Sequence, residues 1–564
     1  MTKAAKLVAL LTAILMAACS PSALDSQNQD DAGPARATIF TNGKIYTGGG
    51  AADTVEAIAV SDGTIVAVGS RELVMAGAGD DPIIIDLDGA TMFPGFTDAH
   101  AHLLGIGMRE LTLNLETVGS IAALVAIVED AVQDAGEAGA VYGRGWIETG
   151  WPENRMPIRD DLDPVSAEIP VLLVRADGHA LVANSAALNA AGIDDATPDP
   201  DGGKIERDAN GRATGILIDK AMELVSGLLA TPDEARKREA YAKASNVYAS
   251  FGWTGLHNMS VDPADIPIME SLSAEGALDL RVYNSVNQSG LEQLEQEGLR
   301  TNPNGRVITR AMKLYVDGAL GSRGAALSRP YADRPDTRGL MLLQQEEAAA
   351  LFDRAIAAGV QVNTHAIGDR GNKLALDWYR DAFARNPGVD DLRWRIEHAQ
   401  ILHTEDIPRF AALNVIASMQ PSHAIGDLFF APDRLGPDRL DGAYAWRALI
   451  DAGAMIAGGS DAPVERGDPR IEFYAAVARR GLNGYQDENW RPDQAANRME
   501  ALKMFTLWPA IASFQEDSLG VIAPGKRADF TVFSKDIMTI PEVEILTAEP
   551  VMTVVDGEIV FPAP

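Results

Sequence analysis

Apolar and polar positions change rhythm along this chain, and the changes divide it into parts. Near the start, TIFTNGKIYTG (38–48), EAIAVSDGTIVAVG (56–69) and IIIDLDGATMFPG (83–95) are short apolar runs of the kind that form strands. Asn42-Gly43 and Asp62-Gly63 mark tight hairpin turns. The far end repeats the style with ADFTVFSKD (528–536) and VMTVVDGEIVF (551–561), the latter turning at Asp556-Gly557. The pattern predicts one small β-sandwich assembled from both termini, residues 37–90 and 516–564.

The middle alternates apolar strands with helical stretches such as Pro232–Ala249, Gln345–Ala358 and Ala443–Asp451. Candidate strands end near His100, His257, Asn284, Tyr315, His365, His398, Met419 and Ser460. Repeated βα units of this kind predict the α/β class and a TIM (β/α)8 barrel over residues 91–515. One interval breaks the rhythm: His102 to Gly252 is too long for a single crossover. An inserted subdomain is expected at about 104–219. It carries GRGWIETGWPENR with Trp146 and Trp151, then IPVLLVRADGHALVANSAAL, then GGKIERDANGRATGILID. No repeat period is visible, which argues against a solenoid.

The first residues belong to neither part. Lys3 and Lys6 precede an apolar run from Leu7 to Met16, followed by Ala17, Ala18 and Cys19. A basic start, about ten apolar residues and small residues before a cut describe a signal peptide, here 1–18. The small-small-Cys ending resembles a bacterial lipobox, which implies lipid attachment at Cys19. Ser20, rather than an aspartate, follows the cysteine, and the expected location is the bacterial cell envelope, at the outer membrane facing the periplasm. Residues 19–36 are polar and small and read as a tether. Cys19 is the single cysteine, so no intrachain disulfide can form. The net charge of 48 − 80 = −32 argues against a nucleic-acid partner. The remaining composition, 46% hydrophobic and 23% charged, is that of an ordinary globular protein.

Candidate chemistry gathers at the predicted strand ends. In PGFTDAHAH, side-chain alternation points His100 and His102 the same way, toward one metal. An isolated HxH pair is a weak signal. It gains weight because His365 in VNTHAIGD, His398 in WRIEHAQ and Asp461 in MIAGGSDAPV recur in corresponding places. Imidazole and carboxylate suit zinc and neighbouring metals. Lys313, in AMKLYVDGALGSRGAAL, is a lysine in an apolar strand. It either pairs with an acid such as Asp317 or adds carbon dioxide to become an anionic carbamate; the residues alone leave both open. Asp317 and Arg323 in the following loop are candidates for shaping the site or binding substrate. His179, His423, Trp146 and Trp151 are further candidates for substrate contact, the tryptophans equally for the core of the insertion.

Taken together, PGFTDAHAH, Lys313, His365, His398 and SDAP resemble the amidohydrolase superfamily. GWIETGWP, ADGHALVANSAAL, KLYVDGALGSRGAAL, THAIGDRG, RIEHAQ, SMQPSHAIGD, GSDAPVERGDP and GVIAPGKRADFTVF are similar to its amidohydrolase-3 branch, which includes the N-substituted formamide deformylases. The resemblance runs from about residue 38 onward. It implies two divalent metal ions, zinc by default, with His100 and His102 on the first, His365 and His398 on the second, and carbamylated Lys313 between them. It also implies that Asp461 touches metal and serves as general base, then general acid. The implied reaction is hydrolysis of a non-peptide C–N bond, of N-formyl or N-acyl amide type, in a small molecule by metal-activated hydroxide. The rivals are hydrolysis of a cyclic amide, carbamate or ester, and a non-catalytic metal-containing envelope lipoprotein.

Overall fold

The structure, a computed structural model, describes residues 36–562 apart from 51–52, 117, 136–138, 177, 201, 229–231 and 487–489. The leader, Cys19 and the tether up to residue 35 lie outside the described residues. Among the described residues, no helix is long and apolar enough to cross a membrane.

Eight parallel strands form a nearly closed barrel. In chain order they are Phe96–Ala101, Trp253–Val261, Arg281–Val286, Val307–Tyr315, Gln361–Ala366, Arg395–His398, Ile416–Met419 and Ile456–Gly458. Nearly every position in them is buried, because side chains fill the barrel inside while helices cover it outside. The seam between the eighth and first strands has no ladder. It is closed instead by Asp461 N–H to His100 O (2.6 Å) and His102 N–H to Ala462 O (2.8 Å). Asp98 staples it from within, accepting from Ser460 N–H (2.9 Å), Ser460 Oγ (2.5 Å), Tyr248 OH (3.0 Å) and His100 N–H (3.1 Å). Burial pushes the Asp98 carboxyl up to about 6 although all four donors pull the other way. The two chain passages at the seam approach so closely that a Cβ on Gly459 would lie 2.5 Å from His100 N.

Strands from both ends of the described residues meet in one eight-stranded sheet. The C-terminal strand Phe530–Phe533 pairs antiparallel with Thr91–Pro94, which leads through Gly95 into the first barrel strand. Phe40, Ile58, Met92, Phe530, Val532 and Val554 form this sheet's own core. A buried ion pair, Arg281 to Asp529 (2.6 and 3.0 Å), ties the sheet to the barrel, and Asp556 adds a further contact to Arg281. Burial works against the Asp556 carboxylate, but Arg281, Arg306 and Arg527 hold it below its usual range.

Between the first and second barrel strands lies a six-stranded sheet running from Leu113 to Asp219. The helix Leu103–Leu111 precedes it and packs on Glu234–Phe251, a helix that leads into the second barrel strand. Gly107 permits this packing, since a Cβ there would sit 1.9 Å from Ala240 O. The helix therefore belongs to the barrel's outer layer. The inserted sheet has apolar clusters of its own, and one of them holds Trp146 and Trp151.

Candidate metal centre

The C-terminal ends of the barrel strands converge on one group of donors. Ligand atoms of His100, His398 and Asp461, all buried, lie within 4.8 Å of one another. Their hydrogen bonds fix the tautomers. His100 Nδ1 lies 2.5 Å from Glu397 Oε2, His102 Nδ1 3.2 Å from the Met259 carbonyl, and His398 Nδ1 2.8 Å from Gln420 Oε1. Each of these partners accepts, so each Nδ1 carries the hydrogen and each Nε2 is left with its lone pair. Two of these lone pairs face a carboxylate oxygen: Asp461 Oδ1 is 3.3 Å from His100 Nε2 and 3.0 Å from His102 Nε2. Imidazole nitrogens and a carboxylate oxygen that face each other as acceptors are donors suited to a divalent cation.

The charge states agree. Burial, then Lys313, lowers the His100 imidazole to about 4. Burial also drives His365 and His398 well below the ordinary range, with the neighbouring cationic groups acting in the same direction. Asp461 and His398 both have left-handed backbone, at φ 60° and φ 74°. Non-glycine residues held in that region cost about 1–3 kcal/mol and cluster at functional sites.

Lys313 Nζ lies 3.2 Å from His100 Nε2, and the residue is 1% exposed. Burial brings its amine down to about 8. Among the described residues it has no carboxylate within ion-pair distance, so the pairing with Asp317 considered above is not formed. Asp317 instead accepts three backbone N–H groups, from Ile367 (2.9 Å), Gly368 (2.8 Å) and Ala326 (2.8 Å). It is fully buried and does not reach the cavity, so it shapes the loop behind His365, whose Nε2 is 3.5 Å away. That Nε2 is buried without a hydrogen-bond partner. The His365 ring packs beside His398, centroids 4.6 Å apart.

A cavity of about 1210 Å³ opens above these groups, lined by His102, Lys313, His365, His398 and Asp461 and by His179 and His423 from the surroundings. His179 comes from the insertion, and its Nδ1 is 2.6 Å from Asp219 Oδ1. His423 Nε2 stands 3.8 Å from Asp461 Oδ2. Three expected substrate contacts take other roles besides Asp317. Trp146 and Trp151 are buried in the insertion, donating to Leu173 O (2.7 Å) and Val118 O (2.9 Å), and neither lines the cavity. Arg323 is committed to Asp333 (2.7 Å) in its own loop. His257 serves the interior, 2.7 Å from an Arg395 nitrogen, and His403 bonds Ser328 (2.8 Å).

Sequence reasoning missed Glu397, which holds His100 and is clamped by Arg395 (2.7 Å). Burial opposes its ionisation, but Arg395 and His100 hold it well below the usual carboxylate range. The signal was present: Arg395 and Glu397 are opposite charges two apart in a wholly buried strand, and such charges require partners inside.

Fold and site together define a class, the (β/α)8 barrels that present a divalent-cation donor set at the C-terminal strand ends. The chain belongs to the amidohydrolase family, whose sequence model matches residues 84–561. YtcJ of Bacillus subtilis (strain 168) is 35% identical over 529 residues, covering 93% of this chain and 99% of that protein. The N-substituted formamide deformylase of Arthrobacter pascens is 28% identical over 538 residues, 93% of this chain and 98% of that one. Among solved structures, an uncharacterized metal-dependent hydrolase from Pyrococcus horikoshii OT3 superposes with a TM-score of 0.72 at 28% identity. It covers 90% of this chain and 99% of its own.

Proposed function

We propose that the protein is a metal-dependent hydrolase of small molecules that cleaves a non-peptide C–N bond of the N-formyl or N-acyl amide type. The observation that carries the reading is the convergence of acceptor atoms from His100, His102, His398 and Asp461 at the floor of a large cavity. The formamide deformylase relative supports the choice of bond. In this reading two divalent ions, zinc by donor type, are held by His100, His102, Lys313, His365, His398 and Asp461. Such ions, when bound, lower the pKa of water from about 15.7 toward 7 and polarise a carbonyl.

The chain's own groups do the rest. Asp461, ionised and facing the cavity, takes the proton from the attacking water and returns it to the leaving nitrogen. His179, on the insertion's side of the cavity wall, is in this reading the donor to the oxygen on which charge develops. Lys313, without a carboxylate partner, is the lysine that adds carbon dioxide. Its neutral nitrogen forms an N–C bond, loses one proton and becomes an anionic carbamate.

The test is amine release from a panel of N-formyl, N-acetyl and longer N-acyl amines, beside Asp461→Asn and a chelated sample. Asp461→Asn is expected to keep metal and lose about 10²–10⁴ in rate. Silence across the panel, from protein holding two metals, refutes the amide assignment and shifts it to cyclic amides, carbamates or esters. In the same reading Cys19 anchors the protein by lipid in the cell envelope. Incorporation of labelled palmitate that is abolished in Cys19→Ser tests this, and label retained in the variant refutes it.

A further inference from the structure

Glu465 lines the cavity four residues beyond Asp461, and the reaction as derived does not use it. Its Oε1 lies 3.8 Å from His423 Nε2, and no hydrogen-bond donor reaches its carboxyl among the described residues. His423 is 8% exposed, and its Nε2 is buried with no hydrogen-bond partner. That nitrogen sits between two carboxylates, 3.8 Å from Glu465 Oε1 and 3.8 Å from Asp461 Oδ2. The other acids on the same wall are already engaged. Asp427 is bonded by Tyr444 and by Gln400 Nε2 (2.7 Å), and Glu116 is bonded by Arg109 (2.5 Å). Beside them the cavity mouth is apolar: Phe429 is 45% exposed, Leu482 is 51% exposed, and Phe429 stacks on Tyr485 at 5.3 Å.

We infer that Glu465 and His423 form a subsite for a cationic N–H group, a primary ammonium, on the amine side of the substrate, with the Phe429 wall taking the adjoining apolar part. Two unpartnered acceptors set together are satisfied by one multiply donating cation. Burial, then the charges of Asp427, Asp461 and Glu116, raise the Glu465 carboxyl well above its usual range. A cation is what offsets it. The substrate class that follows is an amide of a diamine or of an amine carrying a second basic nitrogen. The inference rests on the hydrolase reading only for its position next to the reacting bond.

The test needs no turnover. Metal-loaded protein is titrated calorimetrically with benzylammonium and, separately, with benzyl alcohol, which matches its apolar part without the charge. The wild type is expected to prefer the ammonium by about ten-fold or more, the worth of one charge-assisted hydrogen bond. In Glu465→Gln the ratio should fall to near one, and Glu465→Asp, which keeps the charge but draws it back, should fall between. Metal content is read on every sample. A ratio near one in the wild type overturns the subsite, and so does an undiminished ratio in either variant with metal in place. A ratio that behaves as expected in a protein inert toward every amide leaves the subsite standing and removes the hydrolytic reading instead.

Discussion

Consider Glu397→Gln. The substitution keeps volume and reach but removes one charge from a fully buried group. Glu397 accepts from His100 Nδ1 (2.5 Å) and from one Arg395 nitrogen (3.1 Å), and a second Arg395 nitrogen is ion-paired with it at 2.7 Å. An amide has only one oxygen. Turned toward His100, its NH2 group faces the Arg395 guanidinium; turned toward Arg395, it faces the Nδ1 hydrogen. Either way a buried donor meets a donor. Outer-shell partners of this kind are worth about 10–100-fold in metal affinity, or about 1.4–2.8 kcal/mol. Breaking a buried ion pair costs a further amount in stability, about 3–5 kcal/mol when a charge is left alone. The lower end applies, because Arg395 keeps Ala99 O (2.5 Å), Ser418 Oγ (2.6 Å) and His257 Nδ1 (2.7 Å). The assay is metal content after dialysis against graded chelator, paired with thermal unfolding of the metal-free proteins. A retention curve that overlays the wild type, in folded Glu397→Gln, would refute the claim that Glu397 sets the His100 tautomer for metal.

Other perturbations separate the remaining roles. Lys313→Ala should lose at least one metal equivalent by elemental analysis, and full retention of two would rule out a carbamate ligand. Trp146→Ala should lower unfolding free energy by about 3–5 kcal/mol in denaturant melts; a change of substrate preference at unchanged stability would return the residue to the cavity wall. At the junction of sheet and barrel, the Asp556 carboxylate is held below its unfolded value, so its stabilising contribution is present above about pH 4 and is lost as pH falls through the folded value. Asp556→Asn should therefore flatten the acid limb of the stability profile, and an unchanged limb would contradict the assignment.

The strand ends were legible because barrel strands announce themselves as apolar runs and because a histidine or aspartate closing such a run is conspicuous. His100, His365, His398 and Asp461 fall where that reasoning put them. What escaped was the partner chemistry. No spacing rule connects Glu397 with His100 or Asp98 with Ser460, because those pairs depend on how the barrel closes. Trp146 and Trp151 misled in the opposite way: an aromatic pair in a glycine-rich run reads equally as wall or as core, and only packing decides. Helix Leu103–Leu111 packs on Glu234–Phe251, a neighbour so far along the chain that no local pattern reveals it.

The pairing of Phe530–Phe533 with Thr91–Pro94 sets an order of events on the ribosome. The strand bearing His100 and His102 grows directly out of Thr91–Pro94, and its other flank is secured only by residues around Ser460. Both supports are synthesised hundreds of residues after the histidines. A nascent chain therefore carries His100 and His102 for most of its synthesis without the frame that holds them in place. Contacts this distant in sequence form late and slowly, so loss of even the last strands should leave the site unassembled although every one of its side chains is present.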